Sequence, residues 1–184
     1  EKIKKNNKPV IFVSGHFANF ELMSMELSKK NIKLATIYRP LNNFFLNPVM
    51  EDLRKKYICQ NQIKKGLAGV KDSINFIKNN FSIALMIDQR VSESKKLPFF
   101  EQMAHTTTMP AQMALKFNLD IVPIYIARKN DDTFKMEVYE PIKFSKNDNS
   151  ETNKLNVSIQ LNKILEEMIS REPGQWIWTH NRWK

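Results

Sequence analysis

The stretch VIFVSGHFANFE, Val10 to Glu21, joins two kinds of local structure. Val10 to Val13 is a short apolar run of the kind that buried strands use. Ser14 and Gly15 break it, and residues 19–30 then take up spacing that suits a helix. A strand handed over to a helix through a short turn is the repeating unit of an α/β fold.

The same alternation continues outward. KLATIY (33–38) predicts the next strand, followed by a helix from Asn47-Pro48 to about Tyr57, with Asn47 as N-cap and Pro48 at the first helical position. Residues 68–79 read as an amphipathic helix, with Val70, Ile74 and Ile77 on one face, and SIALMID (82–88) as a buried strand. A loop is expected to about Pro98, then a helix capped by Thr108 and running to about Phe117. DIVPIYIAR (120–128) predicts a strand whose Pro123 implies an edge or a bulge. TFKMEVYE (133–140) alternates as a half-exposed strand does. A long helix follows over about 152–170, and PGQWIWTHNRWK closes the chain. The reading is one α/β domain over 1–184, with a mixed, largely parallel central sheet flanked by helices.

Composition narrows the functional classes. A chain of 184 residues, 42% hydrophobic and 26% charged, builds one globular core. Its single cysteine excludes an internal disulfide framework, and no Cys/His cluster has zinc-ligand spacing. Neither a metal nor an organic cofactor is expected. The net charge of +10 favours polyanionic partners: phosphorylated lipid, an anionic membrane face or an acidic carrier protein. The lysines are scattered, with no sustained basic helix and no nucleic-acid motif, so nucleic acid is not expected. No apolar run approaches the ~18 residues that span a bilayer. The chain begins at Glu1 and enters a strand almost at once, and an N-terminal portion is expected to precede it.

His16 is one of three histidines and stands five positions before Glu21. On an ideal helix that separation leaves the two side chains about 140° apart, so they meet only if His16 lies in the turn before the helix. Gly15 fits such a turn. There, Glu21 would hold one imidazole nitrogen and leave the other as a general base for a hydroxyl. No G-x-S-x-G elbow is present. A histidine–carboxylate dyad without a protein nucleophile suits direct attack by a substrate hydroxyl on a thioester, whose thiol leaves readily. From spacing alone, a capping histidine beside a solvated acid is the commoner arrangement. Arg39 and Asp88 also lie just past predicted strand ends, where open α/β sheets place their sites. His105 and His180 have no carboxylate at comparable spacing and are read as non-catalytic.

GHFANFE resembles the H-x4-[D/E] block of the lysophospholipid acyltransferase superfamily, and specifically the bacterial lipid A biosynthesis acyltransferases, which use Glu. TIYRPLNN (36–43), MEDLRKKY (50–57), ALMIDQR (84–90), LPFF (97–100), TTTMPAQMAL (106–115), IVPIYIAR (121–128) and PGQWIWTHNRWK (173–184) resemble that family's successive blocks in order. The resemblance implies transfer of a fatty acyl chain from acyl carrier protein to a hydroxyl of a phosphorylated glucosamine-disaccharide lipid. It places the reaction at the cytoplasmic face of the bacterial inner membrane and implies an N-terminal membrane-anchor helix preceding Glu1. His16 matches the base and Glu21 its partner. Arg39, Arg54 and Asp88 match substrate-binding positions, the arginines being planar forks suited to phosphate. Arg90 stands where the family often has a second acid.

Phe17, Phe20, Phe44, Phe45, Leu46, Phe99 and Phe100 are candidates to line an acyl channel or touch the bilayer, with Phe44-Phe45-Leu46 the best candidate for membrane contact. Trp176, Trp178 and Trp183 suit an interfacial belt, or the first two alternate onto the core. One rival is an acyltransferase of the same superfamily with another glycolipid or a lysophospholipid acceptor. The other is a non-catalytic basic module with a structural His16.

Overall fold

A computed structural model describes residues 8–91 and 94–184. The strands are β1 (Val10–Ser14), β2 (Leu34–Tyr38), β3 (Asn61–Lys64), β4 (Ser82–Met86), β5 (Ser94–Phe99), β6 (Gln102–Thr107), β7 (Asp120–Arg128) and β8 (Phe134–Val138). The helices are α1 (Leu22–Lys29), α2 (Leu46–Tyr57), α3 (Leu67–Lys78), α4 (Met109–Phe117) and α5 (Glu151–Arg171). A six-stranded sheet has the order β3-β2-β4-β1-β7-β8, and β5 and β6 form a separate pair. Strand β2 pairs in parallel with β3 and β4, while β7 and β8 are antiparallel. The fold is α/β with a mixed, largely parallel sheet, as expected. Among the described residues no helix is long and apolar enough to cross a membrane.

The chain divides into two compact units, one of residues up to Phe12 with Glu21–Leu85, the other of Val13–Phe20 with Met86–Lys184. In the first, Leu34, Ala35, Ile83 and Ala84 are buried strand residues, and Met23 and Leu27 of α1 join them. Helix α3 packs close to β3 through Gly69, where a Cβ would stand 2.0 Å from the Lys64 carbonyl oxygen. Only a residue without a side chain fits there. Strand β3, NQIK, escapes sequence reading because only Ile63 of its four residues is buried and apolar.

Helix α2 begins two residues before its expected start. Asn43, not Asn47, supplies the capping oxygen, accepting from the Phe45 and Leu46 N–H groups at 3.0 and 3.1 Å. Asn47 instead uses its amide to reach Glu51 at 2.7 Å.

In the second unit, the core is built by β7, the β5–β6 hairpin and α5. Ile121, Val122, Ile124 and Ile126 of β7 are buried, as are Val157, Leu161, Leu165 and Met168 of α5. Those α5 positions recur at helical spacing and form one apolar stripe. Ser150 caps α5 by accepting from the Asn153 N–H at 3.1 Å.

Pro123 lies in a strand flanked on both sides, so β7 is not an edge. The Pro123 carbonyl accepts from the Tyr139 N–H at 3.0 Å, and the β8 ladder begins only at Ile124. The missing proline N–H therefore falls where the ladder has stopped. The hairpin replaces part of an expected loop. Its two turn residues, Phe100 and Glu101, both have positive φ, 48° and 60°. A two-residue hairpin turn demands that conformation and usually takes it from Asn-Gly or Gly-Gly.

Candidate active site

The His16 turn is held on both sides by backbone. Phe17 N–H donates to the Gly15 carbonyl at 2.9 Å, and Ala18 N–H to the Gln175 carbonyl at 2.7 Å. The His16 carbonyl in turn accepts from the Ile177 N–H at 3.1 Å. Gly15 is required for space: a Cβ there would lie 2.8 Å from Phe17 Cε2 and 3.3 Å from Leu165 Cδ2. The left-handed residue of the turn is Ala18, with φ 43°. Phe17 is fully buried against Tyr125, and Phe99 is fully buried too, so both are core residues and not channel lining.

Strand β4 ends at Met86, and the Ile87 N–H donates to the Ser14 carbonyl at 2.9 Å. The next residue, Asp88, is 2% exposed and faces His16. Its Oδ1 lies 2.7 Å from His16 Nδ1. Its Oδ2 accepts from the His16 backbone N–H and from Trp176 Nε1–H, each at 2.8 Å. Burial pushes the Asp88 carboxyl up, but the hydrogen bonds and charge of His16 with the Trp176 bond outweigh it and hold the group below its ordinary range. An ionised carboxylate is an acceptor only, so Nδ1 carries the proton and Nε2 presents its lone pair. The imidazole is 16% exposed, with Phe20 against it at a ring distance of 4.5 Å.

Behind this pair lies Arg182, with no exposed surface at all. Its Nη2 donates to Thr106 Oγ1 at 3.0 Å and to Asn162 Oδ1 at 3.1 Å. Its guanidinium sits 4.0 Å over the Phe99 ring, and Nε and Nη1 have no hydrogen-bond partner among the described residues. Burial pulls its pKa down to about 10, while the negative charges of Asp88 and Glu166 pull it back up. Arg182 is thus a buried counter-charge that favours the ionised form of Asp88. Arg90 has a different task, its backbone N–H donating to His180 Nε2 at 2.9 Å and its Nη1 to the Lys184 carbonyl.

In the other unit, Glu21 Oε1 accepts from both Nε and Nη2 of Arg54 at 2.7 Å. The Arg54 guanidinium lies 5.6 Å from the Tyr38 ring centre, and its buried Nη1 has no hydrogen-bond partner among the described residues. Glu51 takes Asn47 and, at 3.1 Å, Lys64. Hydrogen bonds from Tyr38 and Asn47 hold its carboxyl down at about 2. Burial, then Glu51, raises the Tyr38 phenol well above its ordinary value. Arg39 is exposed and donates to Asn42 Oδ1 at 3.4 Å. Burial, then the neighbouring Arg39 charge, lowers the Lys65 ammonium. Arg39 and Lys65 immediately follow paired residues Tyr38 and Lys64 on parallel strands.

The arrangement changes two assignments. The carboxylate on the imidazole is Asp88, not Glu21, whose oxygen is given to Arg54. Asp88, expected at a substrate-binding position, is buried with its two oxygens on His16 and Trp176. Trp176 and Arg182 were missed as members of this network. A core position was one of the two readings of Trp176, and it holds for Trp176 but not for the exposed Trp178; for Arg182 the only signal was the aromatic density of WIWTHNRW.

A family model of the bacterial lipid A biosynthesis acyltransferases matches residues 1–184. A relative from Shigella flexneri, Lipid A biosynthesis acyltransferase 2, is 24% identical over 185 residues, covering 97% of this chain. The chain spans about half, 56%, of that curated relative's length. With the match running the whole length of the sequence, the chain belongs to the bacterial lipid A biosynthesis acyltransferase family.

Proposed function

We propose that this protein moves a fatty acyl chain from the thioester of acyl carrier protein to a hydroxyl of a phosphorylated glucosamine-disaccharide lipid, at the cytoplasmic face of the bacterial inner membrane. The observation that carries the reading is the 2.7 Å contact of His16 Nδ1 with buried Asp88, which frees Nε2 to act as base. Nε2 takes the acceptor hydroxyl proton as its oxygen attacks the thioester carbonyl. The tetrahedral intermediate collapses with loss of the carrier thiolate, which regains the proton from the imidazolium. Asp88 stabilises that imidazolium without taking its proton.

Arg39, exposed and with Lys65 as its register neighbour, is proposed to bind phosphate of the lipid or of the carrier's prosthetic arm. Arg54, its guanidinium fixed by Glu21, is proposed to add positive charge to the phosphate-binding face of the same unit. The net charge of +10 supports an acidic carrier and an anionic membrane as partners. A non-catalytic basic module would pack His16 against apolar groups alone. The imidazole instead carries a buried carboxylate, which favours the enzyme.

Mass spectrometry of lipid A from cells lacking the protein tests the substrate. The expected result is loss of one acyl chain, restored by the wild-type gene. Unaltered lipid A would overturn the acceptor assignment.

A further inference from the structure

Helix α2 is turned inside out. Leu46, Val49, Leu53 and Tyr57 recur at spacings of three and four and form one stripe. In a globular protein such a stripe faces the core. Here these residues are 55%, 55%, 44% and 57% exposed, and no residue of the helix is buried. The face turned toward the body is largely polar instead, where Glu51 meets Lys64 and Arg54 meets Glu21. Those ion pairs fix the rotation of the helix about its axis, so the apolar stripe is held outward. Phe44 and Phe45, in the turn leading into the helix, are 82% and 84% exposed and touch edge to face.

The charges beside the stripe choose its partner. Lys56 is exposed beside the stripe, and Lys65 and Arg39 stand at the adjacent strand ends of the same unit, while Lys55 lies on the opposite side of the helix. Asp52 is the acidic exception on the exposed flank, since Glu51 is already paired. A protein interface of this kind would desolvate Lys56, Lys65 and Arg39. A bilayer does not, because lysine stems lie along the apolar boundary while their ammonium groups reach phosphate.

We propose that α2, with Phe44 and Phe45, is an in-plane membrane helix, seated stripe-down in the headgroup layer of an anionic bilayer. This deepens the membrane placement proposed above and does not depend on acyl transfer. The protein would therefore meet its lipid substrate through a second surface besides any anchor, with helix rotation set by its own ion pairs.

The test is flotation of the purified whole chain with vesicles of phosphatidylethanolamine and phosphatidylglycerol, or of phosphatidylcholine alone. Wild type is expected to float with the anionic vesicles and weakly with the neutral ones. The Val49→Asp/Leu53→Asp pair should lower the bound fraction by roughly tenfold or more. Both side chains are exposed, so the variant should fold, with an unchanged circular dichroism spectrum.

A second reading does not rely on that variant. An environment-sensitive dye on Leu53→Cys should shift to the blue with anionic vesicles, and the same dye on Lys55→Cys should not. Flotation of the double variant like wild type, or a dye at position 53 that stays in water, overturns the proposal. So does a wild-type dimer that ignores vesicles and is broken by the double variant, which would make the face an interface between copies. His16→Ala should float like wild type, so loss of turnover and loss of membrane binding separate cleanly.

Discussion

Asp88→Asn removes one charge and adds one proton-bearing group, and the geometry says where each must go. Two donors converge on Oδ2, the His16 backbone N–H and Trp176 Nε1–H, both at 2.8 Å. An asparagine has one acceptor oxygen, and turning it toward those two donors satisfies both. The amide nitrogen then occupies the Oδ1 position, 2.7 Å from His16 Nδ1. It is a donor, so Nδ1 must become an acceptor and the imidazole proton moves to Nε2. The base is then in the wrong tautomer, although nothing has moved. The expected loss in kcat is on the order of 10³–10⁴-fold, or about 4–5.5 kcal/mol in the barrier.

Stability should change far less, because both Oδ2 bonds survive in neutral form at a cost of about 1–2 kcal/mol together. The assay is acyl transfer to the lipid acceptor under saturating donor, with thermal melting as the folding control. The opposite orientation would aim two buried donors at an NH2 group and should show as a large fall in Tm. A folded Asp88→Asn protein that keeps more than a tenth of wild-type kcat would refute the reasoning.

Three further outcomes follow from the same contacts. Glu21→Gln should cost about 1–2 kcal/mol of stability by weakening a charge-assisted pair; because the imidazole partner is Asp88, the pH–rate profile should keep its shape, and a displaced profile would return Glu21 to the imidazole. Arg182→Ala opens a cavity under Phe99 and strips Thr106 and Asn162 of a donor, so unfolding free energy should fall by about 3 kcal/mol or more and Tm by roughly 6–12 °C; an unchanged melt would contradict the buried role. The pH dependence of stability has a fixed sign. The Asp88 carboxyl is held below its ordinary 3.8, so the unfolded chain takes up the proton first. Its contribution is whole at neutral pH and is lost as pH falls below about 5 toward the folded value. Urea midpoints of wild type and Asp88→Asn should therefore converge in acid, and a constant gap would argue against an ionised Asp88.

Much of the sheet was readable because β1, β4 and β7 are continuous apolar runs, which a buried largely parallel sheet requires. The hairpin was not, since Phe100-Glu101 adopts a turn normally announced by glycine or asparagine. His16 was readable as a turn histidine, but its partner was not. Along the chain Glu21 is the near acid, whereas Asp88 is 72 residues away. What joins His16 to Asp88 is the order of strands, with β1 and β4 adjacent and each followed by a functional side chain. Spacing sees neighbours in sequence, and a sheet makes neighbours of strand ends. Arg182 was hidden by a sound expectation, that arginines near chain ends are solvated. Its burial is legible only once Phe99, Thr106 and Asn162 are in place around it.

The central claim is that His16, held by Asp88 through Nδ1, is the base for acyl transfer. The direct measurement is product mass after incubating a fatty acyl carrier protein and the phosphorylated disaccharide lipid with wild type or His16→Ala. Wild type should add one ester-linked chain to the lipid. The alanine variant, folded and with the same melt, should lose on the order of 10³-fold or more in rate. A His16→Ala protein that acylates the lipid at near wild-type rate would contradict the account.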